Sequence, residues 1–145
     1  MFFSEIVDRG PVPALVKTLA YNHARLRMIA ENVANIHTPG YRTKQLDSKA
    51  FQNALREALE TRVNDPKGGL TVSVQGEVQT DGQGFLQVTP REKPVENILF
   101  HDGTNMSIER QMADLAETGM ANDLATTLLR GKFQTLRSAI RGTAG

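Results

Sequence analysis

Two apolar stripes of the same spacing stand at opposite ends of this 145-residue chain, and neither can bury itself alone. From Pro11 onward, Val12, Leu15, Leu19, Leu26, Ile29, Val33 and Ile36 follow a 3,4 spacing, with Asn22 in the one remaining place. Such a heptad seam predicts an amphipathic helix from about residue 12 to about residue 36. Pro11 or Pro13 suits its first turn, where a missing N–H is harmless. The second seam begins at Ile108 and runs through Met112, Leu115, Gly119, Asn122, Thr126, Leu129, Phe133, Leu136 and Ile140. Beside its polar or small middle lies a neighbouring stripe of Ala116, Met120, Leu124 and Leu128. That is how a 3.6-residue helix drifts against a 3.5-residue repeat. With Ser107 as N-cap and Glu109 in the first turn, this helix is expected to span about 33 residues, roughly 50 Å.

Between the two seams the pattern changes. Ala50 to Leu59 reads as a short helix, and the cluster from Asn64 to Gly69 breaks it. Leu70, Val72 and Val74 then alternate with polar residues, and Phe85, Leu86 and Val88 form a second short run, with Asp81 to Gly84 as the turn of a small hairpin. Two short strands are marginal in water, so this segment is expected to be loosely ordered unless something covers it. The resulting fold class is mainly α: two long terminal amphipathic helices packed as an antiparallel coiled coil around a loosely ordered middle with a short β-hairpin. The divisions are an N-terminal helix and turn over residues 1–41, a middle segment over 42–104, and a C-terminal helix over 105–145.

The first helix ends abruptly. Thr38-Pro39-Gly40-Tyr41 fits a type II turn, Pro39 fixing φ at its second position and Gly40 supplying positive φ at its third. Pro39 also drives Thr38 out of the helical region, so the helix stops at or before His37. Local chemistry explains how it stops but not why so regular a seam should end there.

Several classes of function are disfavoured. With 17 basic and 16 acidic side chains the chain carries no bulk field for nucleic acid or an anionic membrane. Without cysteine there is no thiolate nucleophile and no Cys-based zinc site. No apolar run approaches the roughly 18 residues a spanning helix needs. The N-terminal apolar run is broken by Glu5 and Asp8, unlike a cleavable secretory signal. His23, His37 and His101 show no metal-ligand spacing, no Ser/His/Asp order stands out, and the residues around Arg130 to Phe133 lack a phosphate-loop glycine pattern. The expectation is a non-enzyme with no cofactor and no metal.

The stretch from Glu31 to Arg42, ENVANIHTPGYR, resembles the signature segment of the bacterial flagellar rod and hook family, through Asn32, Ala34, Asn35, Thr38, Pro39, Gly40 and Tyr41. The stretch from Glu109 to Ile140 resembles the C-terminal helix of the proximal rod members of that family. Where they usually carry Tyr-Gln, this chain has Asn122-Asp123. The resemblance covers about half the chain, at both ends. It implies a structural subunit of the proximal rod of the flagellar basal body, whose terminal helices pair and polymerise by head-to-tail contacts. It further implies a periplasmic position, export by the flagellar apparatus without a cleavable signal, and partners comprising the chain itself, other rod subunits, the junction with the membrane ring, and the export apparatus. The early stop then marks where the chain leaves the paired-helix core.

Two other readings compete with this one. A nucleic-acid-binding helical module is suggested by Arg130, Lys132, Arg137 and Arg141 together with Arg25 and Arg27, but near-neutral charge and few stacking aromatics oppose it. A helical export chaperone or adaptor would also show two amphipathic helices. If the helices pack antiparallel from a junction at Ile36 and Ile108, Ile29 is expected to meet Leu115, Leu15 to meet Leu129, and Asn22 to face Asn122.

Overall fold

The computed structural model describes residues 10–65, 68–93 and 108–142. Helix α1, Val12–Ala34, starts behind Pro11, whose carbonyl accepts the Leu15 N–H at 3.0 Å, and Pro13 sits in its first turn. Strand β1, Lys44–Gln45, follows the Thr38–Tyr41 turn. Helix α2, Ser48–Asn64, is capped by Asp47, which accepts the Ala50 N–H at 3.0 Å. Then come β2 (Val78–Thr80), β3 (Leu86–Val88) and β4 (Arg91–Glu92), and finally α3, Ile108–Arg141. Two antiparallel pairs form: β1 with β4 (Lys44 opposite Glu92) and β2 with β3 (Gln79 opposite Gln87).

The chain is mainly helical, with long terminal helices and a small antiparallel strand region between them, as the two seams require. Three side-chain contacts fix the direction of the helix pair. Asn32 reaches Gln111 at 3.3 Å, and Arg25 lies 3.5 Å from Asp114 and 3.8 Å from Glu117. Going backward along α1 therefore means going forward along α3, so the two run antiparallel. By rise per residue α3 is about 50 Å long and α1 about 35 Å, so the C-terminal end of α3 runs past the start of α1.

Three details differ from the sequence reading. Helix α1 stops at Ala34 and leaves Ile36 in the turn, because Asn35 caps it: its backbone N–H and its side-chain Nδ2 both donate to the Glu31 carbonyl, the latter at 2.8 Å. The hairpin uses the expected turn at Asp81–Gly84, but its first strand is Val78–Thr80, not the Leu70–Val74 run. Leu70 and Val72 are core residues instead, and the Thr80 hydroxyl donates to the Val72 carbonyl and accepts its N–H, both at 2.9 Å, which replaces a ladder there. The expected cap Ser107 lies outside the described residues.

The middle segment also has a core of its own. Tyr21, Phe51, Leu70, Val72 and Val78 are buried together, and the rings of Tyr21 and Phe51 stack at 3.9 Å with an interplanar angle of 1°. Helix α1 thus serves two neighbours. Ala14, Lys17 and Tyr21, spaced by 3 and 4, turn toward the middle, while Asn22, Arg25, Ile29 and Asn32 turn toward α3.

Candidate assembly site

Within the signature stretch, Asn32 is the hub. It is fully buried at the last turn of α1, and its amide makes four hydrogen bonds. Nδ2 donates to the Lys44 carbonyl at 2.9 Å and to Gln111 Oε1 at 3.3 Å; Oδ1 accepts the Lys44 N–H at 2.9 Å and the Tyr41 hydroxyl at 3.0 Å. Both amide hydrogens and both carbonyl lone pairs are used. Lys44 sits at the non-hydrogen-bonded position of the β1–β4 pair, since the neighbouring Thr43 carbonyl takes the Lys93 N–H at 2.7 Å. The Asn32 side chain therefore pairs with the open edge of β1 as a neighbouring strand would. One residue joins α1, the turn, β1 and α3.

The rest of the stretch shapes the turn. Thr38 donates its N–H to the Asn35 carbonyl at 2.9 Å and its hydroxyl to Asn35 Oδ1 at 3.2 Å. The Tyr41 N–H returns to the Thr38 carbonyl at 3.2 Å, and Gly40 has φ +74°, the geometry of a type II turn. Ala34, Thr38, Pro39 and Gly40 are exposed. Glu31 and Lys44 form an ion pair at 2.6 Å across the same junction, and this hydrogen bond raises the Lys44 pKa. Burial raises the Tyr41 pKa, with Glu31 acting in the same direction.

Along α1 every expected seam residue is at least half-covered: Asn22 and Ile29 are buried, and Leu15, Leu19, Leu26, Val33 and, in the turn, Ile36 are intermediate. The face of α3 that meets α1 is different. Its buried residues are Thr118 and Ala125, with Gln111, Asp114, Gly119, Asn122, Thr126, Leu129 and Leu136 half-covered. Ile108, Met112, Leu115, Phe133 and Ile140 stay exposed, and so do Met120, Leu124 and Leu128 of the neighbouring stripe. Small side chains thus face α1, and most of the large apolar ones flank that contact. Asn22 is buried, and among the described residues its Nδ2 finds no acceptor, so its amide does not donate to Asn122.

Two buried charged residues were invisible to pattern reading. Glu77 accepts the Asp47 N–H at 3.0 Å and pairs with Arg91 at 2.7 Å, tying the start of α2 to β4. Lys17 donates to the Gly84 carbonyl at 2.9 Å, pinning the hairpin turn to α1; burial lowers its pKa, partly offset by Asp81. Neither belongs to an apolar stripe, so no local signal marked them. Among the described residues no cluster of His, Cys, Asp or Glu suits a metal, and no helix is long and apolar enough to cross a membrane.

No family model matches the chain. Comparison with curated proteins finds flagellar basal body rod protein FlgB of Bacillus subtilis, 24% identical over 92% of this chain and 95% of that protein. FlgB of Borrelia hermsii is 26% identical over 81% of this chain and 85% of the relative, and FlgB of Salmonella typhimurium 20% over 81% and 83%. Low in identity but spanning four fifths or more of both chains in each case, and joined to a signature stretch whose side chains knot the two terminal helices together, the likeness shows a chain similar to the FlgB flagellar basal body rod proteins.

Proposed function

We propose that the chain is a structural subunit of the proximal rod of the bacterial flagellar basal body, polymerising through its N- and C-terminal helices. The observation that carries this reading is α3: a 34-residue helix on which Met120, Leu124 and Leu128 keep 50–69% of their surface exposed while small residues meet α1. Exposed apolar area on that scale, along one helix, marks a surface meant for another protein. Its partners are further copies of the chain, other rod subunits and the junction with the membrane ring. The chain reaches the periplasm through the flagellar export apparatus, and it performs no catalysis.

The exposed part of the expected seam, Ile108, Met112, Leu115, Phe133 and Ile140, belongs to this assembly surface. The Asn32 hub plays a separate role, fixing where the chain leaves the helix pair and holding the middle segment at a set angle to it. The test is complementation of a strain lacking the chain. The unaltered chain restores swimming and rod-bearing basal bodies, whereas Leu124→Lys, at an exposed site, leaves the monomer folded and swimming abolished. Full swimming with Leu124→Lys would contradict the reading.

A further inference from the structure

Helix α3 is electrically divided. Glu109, Asp114, Glu117 and Asp123 lie in its first half, against one cation, Arg110; Arg130, Lys132, Arg137 and Arg141 lie in its last third, which holds no acid. That basic end runs past the start of α1, and from residue 130 to 142 only Leu136 is even half-covered. The preference of cations for a helix C-terminus explains residues in the last turn but not Arg130 or Lys132, two or more turns inside it.

The two halves also match in spacing. Glu117, Met120, Leu124 and Leu128 form a 3,4,4 stripe on a face of α3 turned away from Thr118 and Ala125. Arg130, Phe133, Arg137 and Arg141 repeat the same 3,4,4 spacing. We propose that the basic end of α3 docks on the Glu117–Leu128 face of α3 in a second copy of this chain, parallel and displaced by about 13 residues, ~20 Å. Arg130 then meets Glu117, Phe133 packs on Met120, and the Arg137 stem lies over Leu124 with its guanidinium beside Asp123. Glu117 can accept this partner, because its carboxylate is 73% exposed and its pair with Arg25 is long, at 3.8 Å. The contact joins two different surfaces, so each copy keeps one of each unused, and growth continues in one direction. This rests on the rod-subunit reading and adds the register and the partner face.

The chain has no cysteine, so disulfide trapping reports only introduced thiols. The experiment puts Met120→Cys and Phe133→Cys, both at exposed positions, into the full chain in cells lacking it, oxidises them and reads swimming alongside cross-linking. The doubly substituted chain is expected to give a ladder of dimers, trimers and higher species, and each single variant none by itself. Arg130→Glu is expected to reduce the ladder roughly tenfold, and adding Glu117→Arg to the same chain to restore it. Dimers alone would overturn the proposal by showing a closed, symmetric pairing. Restored swimming with no cross-link would overturn it while leaving the rod-subunit reading intact; failure of the unaltered chain to restore swimming would remove both.

Discussion

The side chain of Asn32 and the backbone of Lys44 are joined by two hydrogen bonds of 2.9 Å, one in each direction, so an amide at the end of α1 occupies the place of a missing strand. Asn32→Asp keeps the shape but sets a carboxylate oxygen against the Lys44 carbonyl and removes the donor to Gln111. With buried groups left unpaired at about 1–3 kcal/mol each, both Asn32→Asp and Asn32→Ala are expected to cost about 3 kcal/mol in chemical denaturation. A loss under about 1 kcal/mol would show that the hub is not what holds the junction.

Gly40 gives a cleaner measurement. A Cβ there meets nothing within 4 Å, so the backbone at φ +74° is the sole source of strain. Gly40→Ala is expected to destabilise the chain by about 1 kcal/mol, and Gly40→Asn by less, since Asn tolerates positive φ. Equal stability of Gly40→Ala and the unaltered chain would contradict the type II turn.

Tyr21 and Tyr41 are the only tyrosines, so tyrosinate absorbance in an alkaline titration reports these two side chains and nothing else. Burial raises both above the ordinary 10.0. A raised folded-state pKa stabilises the fold below pH 10.0, and that contribution is lost as pH climbs through the folded values. Lys44, raised by its Glu31 partner, acts in the same direction around 10.5; Lys17, lowered by burial, opposes it. Both tyrosine midpoints are expected above pH 10.0 in folded protein, and Tyr41→Phe removes one of them. A midpoint at or below 10.0 for Tyr41 would show its hydroxyl to be solvated, not donating to Asn32.

Glu77→Gln keeps an acceptor for the Asp47 N–H but loses the charge that holds Arg91. Because the Arg91 side chain is 54% exposed and can turn to water, the expected cost is about 2 kcal/mol, at the lower end for a buried charged partner. Differential scanning calorimetry of Glu77→Gln and Arg91→Ala checks this, the second being the harsher change because it leaves the buried Glu77 carboxylate without its cation. Equal melting of Glu77→Gln and the unaltered chain would remove Glu77 as a tie between α2 and β4.

The terminal helices were legible because a 3,4 stripe sustained over several turns has one physical solution, and the turn was legible because Pro39 and Gly40 each restrict φ. The facing of α3 was not. Periodicity identifies an apolar stripe but not which neighbour takes it, and here Thr118 and Ala125, small enough to let α1 approach, face the intramolecular contact. The middle segment was read as loosely ordered because its strands are short. What orders it is non-local: Tyr21 stacked on Phe51, Thr80 bonded to Val72, and Glu77 beneath Asp47. Asn32 was recognisable as part of a signature, yet its four bonds reach Tyr41, Lys44 and Gln111, up to 79 residues away, and no local pattern encodes them.

The most direct measurement of the central claim is mass spectrometry of purified basal bodies from the native cell, before and after treatment that strips the rod from the membrane ring. The chain is expected in the intact particles, in stoichiometric amount, and in the released rod fraction afterwards. Its absence from the particles, with the whole pool free in the cytosol, would contradict the account.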